Sequence, residues 1–188
     1  IQSREVASFI SEFIEIKPIE ESVIRNFNIV IEKCRDDYLV DLLNVTKQCK
    51  GIDEIVESKL EKIKQRIDGN SVVDFIKHEI SNPNLLNEVI EEFQYWYNKN
   101  NKKNLVKFVK TVKSFVGAEE KLKVSFNSIL ENCTSVNMYE IIDELISIIE
   151  KNEILDKLDI IINRLNSEQL CDIWKQVKDE EGAQQKLK

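Results

Sequence analysis

The sequence predicts an all-α protein, an array of antiparallel helix pairs built from an internal repeat. Three observations carry that prediction. Apolar residues recur at the i, i+3, i+4, i+7 spacing of a helix face along the whole chain. Only four glycines and two prolines punctuate its 188 residues, too few for the many tight turns of an all-β domain. The chain also matches itself when slid along by 66 residues, so that Gly51 falls on Gly117; self-similarity at a fixed period marks a repeat architecture.

The elements follow in order. Val6, Phe9, Ile10, Phe13 and Ile14 form the first stripe, and Val23, Ile24, Phe27, Val30, Ile31 and Cys34 the second. Pro18 between them suits a first helical turn, where a missing N–H costs nothing. A helix over 37–49 carries Leu42, Val45 and Cys49, and Val56 and Ile63 mark the next one. Ser71-Val72-Val73-Asp74 reads as a capping box ahead of Phe75, Ile76 and Ile80, and Pro83 suits another first turn. Val89, Ile90, Phe93 and Trp96 follow, then Leu105, Phe108 and Val112, then Phe126, Ile129, Leu130 and Cys133. Asn137-Met138-Tyr139-Glu140 resembles a second capping box before Ile142 and Ile146, and Ile161, Ile162, Leu170 and Val177 close the series. In all there are about eleven helical segments of roughly 11 to 17 residues. Gly51, Gly69, Gly117 and Gly182 stand where helices should end, as left-handed caps would.

The 66-residue match aligns Val6, Phe9, Ile10 and Ile14 with Val72, Phe75, Ile76 and Ile80, and Leu39-Val40 with Leu105-Val106. A shift of 65 continues it, from Leu105 to Leu170 and Gly117 to Gly182. A half-period of 33 is also present, as in Phe75 with Phe108 and Phe93 with Phe126. The chain therefore reads as one helical domain over 1–188, with repeats at 3–68, 69–134 and a shortened 135–188. Each repeat holds two helix pairs, near 3–35, 36–68, 69–101, 102–134 and 135–166, with a closing helix from 167. One helix pair cannot bury both its faces, so neighbours must stack. The period is near that of tetratricopeptide repeats, but the small residues which that family needs for close helix contact are missing.

Composition excludes several classes. A formal charge of −7 argues against a general binder of nucleic acid or anionic membranes. No apolar run approaches the roughly 20 residues of a membrane span. The sequence opens on Ile1 and holds no signal-like apolar stretch, so it assigns no location of its own. The sequons at Asn44 and Asn132 are as frequent as chance provides in so Asn-rich a chain.

Chemistry is sparsely provided for, and no catalytic residue, metal site or cofactor is expected. His78, the single histidine, aligns with Glu12 and Glu144 and reads as a solvated position. Asp36, Asp37 and Asp41 are spaced unlike a metal motif and read as charges favouring a helix dipole. Cys34, Cys49 and Cys133 sit on apolar stripes and, with Cys171, read as free thiols; an open solenoid forbids a Cys133–Cys171 bridge, and a closed helical globule allows it. The segment from Phe93 to Lys113 stands out. Phe93, Tyr95 and Trp96 end one helix, and Lys103, Lys107 and Lys110 share a face of the next, between Lys102 and Lys113. Core packing is the default for Phe93 and Trp96, with the lysines outward. A basic strip beside aromatics in an acidic protein suits an acidic protein partner or a lipid headgroup.

Leu165-Asn166-Ser167 with Leu170, Ile173 and Val177 resembles a recurring pattern of the insect allergen-related repeat family, of midgut microvillar and cockroach-allergen type. Val136-Asn137-Met138-Tyr139-Glu140-Ile141-Ile142 and Gly69-Asn70-Ser71-Val72-Val73 are similar to it too. The chain departs from the family in a shorter repeat and in lacking most proline-marked helix starts. The resemblance implies a secreted helical shell around a lipid-filled cavity. Two functions are thus expected: a non-enzymatic module presenting helix faces to a protein partner, or a secreted carrier of a hydrophobic ligand. Ile29, Tyr95 and Ile160, which widen apolar arcs, would line the carrier's cavity.

Overall fold

The computed structural model describes residues 3–47, 49–79, 89–179 and 183, and among them every regular element is a helix. The chain divides into two compact units, residues 1–100 and 101–188.

The first unit holds α1 (Ser3–Phe13), α2 (Lys17–Lys33), α3 (Leu39–Thr46), α4 (Ile52–Ser58), α5 (Leu60–Arg66), α6 (Val72–Glu79) and α7 (Phe93–Lys99). Helix α1 packs on α2 and α3, α3 on α6, and α2 on α4. Most stripe positions read from the sequence supply the core: Phe27, Leu39, Leu42, Leu43, Ile63 and Phe75 are buried, each stabilising the fold by about 1.5–3 kcal/mol through burial alone, whereas Phe9 of the first stripe is exposed. The second unit holds α8 (Leu105–Lys113), α9 (Ala118–Asn132), α10 (Ser135–Leu145), α11 (Lys151–Asp156), α12 (Leu158–Ile162) and α13 (Ser167–Val177). Here α8, α9 and α10 pack mutually, and α11 packs on α12 and α13. Phe108, Phe126, Ile129, Met138, Ile142 and Ile154 fill its core.

Helices stop in the same way along the chain. Helices α2, α5, α7 and α9 end at Lys33, Arg66, Lys99 and Asn132, and the next residue leaves the helical region each time: Cys34, Ile67, Asn100 and Cys133 have ψ of 138°, 121°, 139° and 152°. A tight turn follows. The amides of Tyr38, Ser71, Asn104 and Asn137 donate to the carbonyls of Arg35, Asp68, Asn101 and Thr134 at 2.8–3.0 Å. Successive members of each series lie 33 residues apart. The last carbonyls of a helix have no partner within it and carry its negative end, and cations from farther along the chain supply one. The guanidinium of Arg66 donates to Ile31 O at 2.7 Å and to Cys34 O, while pairing with Asp36. Lys99 donates to Lys64 O and Gln65 O at 2.6 and 3.0 Å. Arg164 donates to Leu130 O and Cys133 O at 3.2 and 3.1 Å.

Other local expectations divide. Gly51 and Gly117 adopt left-handed backbone, with φ of 96° and 84°, which glycine takes without the Cβ penalty. Each stands directly before the next helix and closes a matching turn: Ile52 N donates to Cys49 O, and Ala118 N to Phe115 O. Gly69 has no positive φ, and Gly182, Pro83 and Ile80 lie outside the described residues. Pro18 stands in the first turn of α2. Neither proposed capping box forms. The Ser71 hydroxyl turns back to Asp68, and the α10 cap is Thr134, three residues upstream of the expected Asn137, whose amide it accepts. A reciprocal box stands instead at Asn166 and Gln169. The helices are also shorter than periodicity alone suggests, because Lys59 and Lys157 interrupt them with the same backbone, ψ near 7° and 10°. All four cysteines are free, three buried and Cys171 exposed.

His78 overturns its reading as a solvated residue. Helix α6 packs against α3, which leaves the imidazole 8% exposed with Nδ1 3.1 Å from Asn44 Oδ1. Burial first, then the charge of Lys47, push its pKa down to about 4, against the pull of Asp53. An imidazole that resists protonation only when folded makes stability fall as pH drops from its ordinary value near 6.5 towards 4. The wild type should lose about 3 kcal/mol more over that window than His78→Gln in urea unfolding at pH 7 and pH 4. Equal losses would remove His78 from the acid response.

Candidate functional site

The strip singled out in the sequence straddles the division between the two compact units, and each part stands on its own structure. In the first unit α7 carries the aromatics. Phe93 and Trp96 are buried, and Tyr95 is 41% exposed. Phe93 stacks on Tyr97 with centroids 6.1 Å apart, and Trp96 lies 5.2 Å from Phe75 with Tyr95 edge-on at 5.1 Å. The exposed edge of this cluster is committed to the end of α5: Tyr95 Oη donates to Lys64 O at 3.2 Å, and Lys99 Nζ donates to Tyr95 Oη from over its ring. These aromatics hold the fold and a helix end, leaving part of the Tyr95 ring for contact.

In the second unit Lys102 and Lys103 stand in a 3-10 turn (Lys102–Asn104), not in the helix with the others, and α8 carries Lys107, Lys110 and Lys113. Lys103 and Lys107 are exposed and make no ion pair among the described residues. Lys110 differs. Its ammonium lies 2.5 Å from Glu140 and 3.5 Å from Glu144 of the adjacent α10, and the hydrogen bond to Glu140 raises its pKa above the ordinary lysine value. Lys113 beside it pairs with the Glu144 carboxylate at 3.6 Å and donates to the Glu144 carbonyl. The C-terminal half of the stripe is thus engaged within the molecule, and the open basic surface is the half at Lys102, Lys103 and Lys107.

Other clusters are similarly committed. Around the cleft at Arg35, Asp36, Asp37, Asp68 and Asn70, Arg35 pairs with Asp37 at 2.8 Å and Arg66 with Asp36 at 2.7 Å, and Asp68 accepts from Asn70 and Ser71. No group of three His, Cys, Asp or Glu side chains among the described residues is placed to hold a metal ion. Lys64 is a buried cation that pattern reading missed, held by Glu61 and Glu92 at 2.5 and 2.7 Å. Its one signal is a lysine standing 33 residues after Ile31 in the apolar register.

A second missed feature lies between α12 and α13. Leu158, Ile162, Leu170, Ile173 and Trp174 line an open apolar groove of about 310 Å³, with Ser167 and Cys171 also on its walls. Ile162 is 44% exposed, and Leu170 and Trp174 are partly so. Compared with known proteins, the chain matches no family model, no curated sequence and no solved structure.

The ion-pair geometry separates the three lysines. Lys110→Glu sets a third carboxylate against Glu140 and Glu144 and should lower the urea midpoint measurably, whereas Lys103→Glu and Lys107→Glu should leave it close to that of wild type. Equal effects at all three sites would contradict the assignment.

Proposed function

We propose that the chain is a non-enzymatic helical-repeat protein that presents helix faces to a protein partner. The supporting observation is the 33-residue recurrence of helix ends, extended breaks and turns, with cations capping three of the preceding helix ends. In repeat proteins the outward faces of stacked helix pairs form the surfaces used for binding. On this reading Lys103 and Lys107, the open part of the basic stripe, meet an acidic patch on the partner.

The carrier reading depended on Ile29, Tyr95 and Ile160 lining an interior. Ile29 is 51% exposed and Tyr95 lies on the exterior, so the partner reading is preferred. Two measurements on the purified protein decide between them. Solvent extraction followed by mass spectrometry should yield no stoichiometric lipid. A pull-down should retain a partner that is lost with Lys103→Glu/Lys107→Glu and weakens as salt rises. Stoichiometric lipid, or a partner indifferent to both the reversal and salt, would overturn the proposal.

A further inference from the structure

Lys102, Lys103 and Lys107, the open part of the basic stripe, correspond to Asp36, Asp37 and Asp41 at a shift of 66 residues. The backbone is the same in both places. Asp36–Tyr38 and Lys102–Asn104 are 3-10 turns, each entered from an extended residue, Arg35 and Asn101, with ψ of 150° and 131°. Each turn runs directly into a helix, α3 at Leu39 and α8 at Leu105. Equivalent sites on equivalent elements thus carry three carboxylates in the first unit and three ammonium groups in the second.

The charge of the whole chain is divided in the same sense. Residues 1–100 hold 13 Lys and Arg against 19 Asp and Glu, and residues 101–188 hold 14 against 15. Nearly all of the net −7 therefore belongs to the first unit. There, Asp36 and Asp37 are engaged by Arg66 and Arg35. Asp41 is exposed and, like Glu12 of α1, makes no ion pair among the described residues. These two carboxylates line one open cleft between α1 and α3, of about 470 Å³, with Tyr38 on its wall. A lysine stem can lie along such a ring while its ammonium meets the carboxylates.

We propose that Lys103 and Lys107 dock on a second copy of this chain, at the α1–α3 cleft that Glu12 and Asp41 line, so that copies associate head to tail through opposite charges. This rests on the reading of the two lysines as a docking surface and names the partner. The contact is heterologous, since two different patches meet, and it extends from copy to copy until a ring closes. Complementary charge sets specificity and register more than affinity. At about 0.1 M salt the Debye length of about 10 Å screens the repulsion between two acidic chains outside the contact.

Sedimentation equilibrium of the full chain tests this. At about 0.1 M salt the weight-average mass should rise with protein concentration between about 10 µM and 1 mM. It should fall back to that of the monomer at about 1 M salt, where the Debye length is about 3 Å; this response needs no substitution. Lys103→Glu/Lys107→Glu and Glu12→Lys/Asp41→Lys should each stay monomeric, with folding checked by circular dichroism. Mixed in equal amounts they should form a 1:1 dimer, because one keeps the acidic cleft and the other keeps the lysines. A wild type that is monomeric at every concentration, association that either variant retains, or a mixture that stays monomeric overturns the proposal. A monomeric wild type whose pull-down still holds a salt-sensitive partner counts against self-association alone. Association of the described kind in a chain that carries stoichiometric lipid counts against the proposed function alone.

Discussion

An α-helix that stops leaves its last carbonyls without partners and concentrates the negative end of its dipole there. In this protein that requirement organises the chain. Helices α2, α5, α7 and α9 each stop one residue before an extended break, and the ends of α2, α5 and α9 are served by Arg66, Lys99 and Arg164. A cation reaching back by about one helix pair does two things. It satisfies the helix end, and it ties consecutive helix pairs together at a defined register. Apolar stripes alone would let neighbouring helices slide by a turn; a guanidinium bonded to two named carbonyls does not.

The same economy governs the remaining charges. Lys64 is buried between Glu61 and Glu92, a pair of contacts without which an ammonium could not leave water. Lys110 and Lys113 are held by Glu140 and Glu144. Part of the charge that looks like a solvated surface in the sequence is thus engaged within the fold, and of the lysine stripe Lys102, Lys103 and Lys107 stay open.

The fold class was legible because periodicity is a one-dimensional record of burial: Phe27, Leu42, Phe75 and Phe126 stand on stripes and are buried. Gly51 and Gly117 were legible because backbone with positive φ selects glycine. Helix lengths were not, since nothing in a stripe announces the interruptions at Lys59 and Lys157. Nor were Thr134 and Asn166 as caps, because several Ser, Thr and Asn residues stand near each helix start and geometry chooses among them. His78 was misread because its aligned residues are glutamates, whereas its burial depends on how α6 lies against α3. Of the candidate site, the outward Lys103 and Lys107 were visible, but the 3-10 turn that holds Lys103 apart from α8 and the pairing of Lys110 with α10 were not. The groove was invisible for a different reason: Leu170 and Trp174 look like core residues, and only their partial exposure sets them apart.

The claim that cations hold successive helix ends is tested most directly at Arg164, whose guanidinium bonds Leu130 O and Cys133 O within the second unit. Arg164→Met keeps much of the apolar stem and removes the donors, while Arg25→Met alters an exposed arginine elsewhere. Urea unfolding should show a loss of about 1–3 kcal/mol for Arg164→Met and a change within about 0.5 kcal/mol for Arg25→Met. An Arg164→Met protein as stable as Arg25→Met would contradict the account.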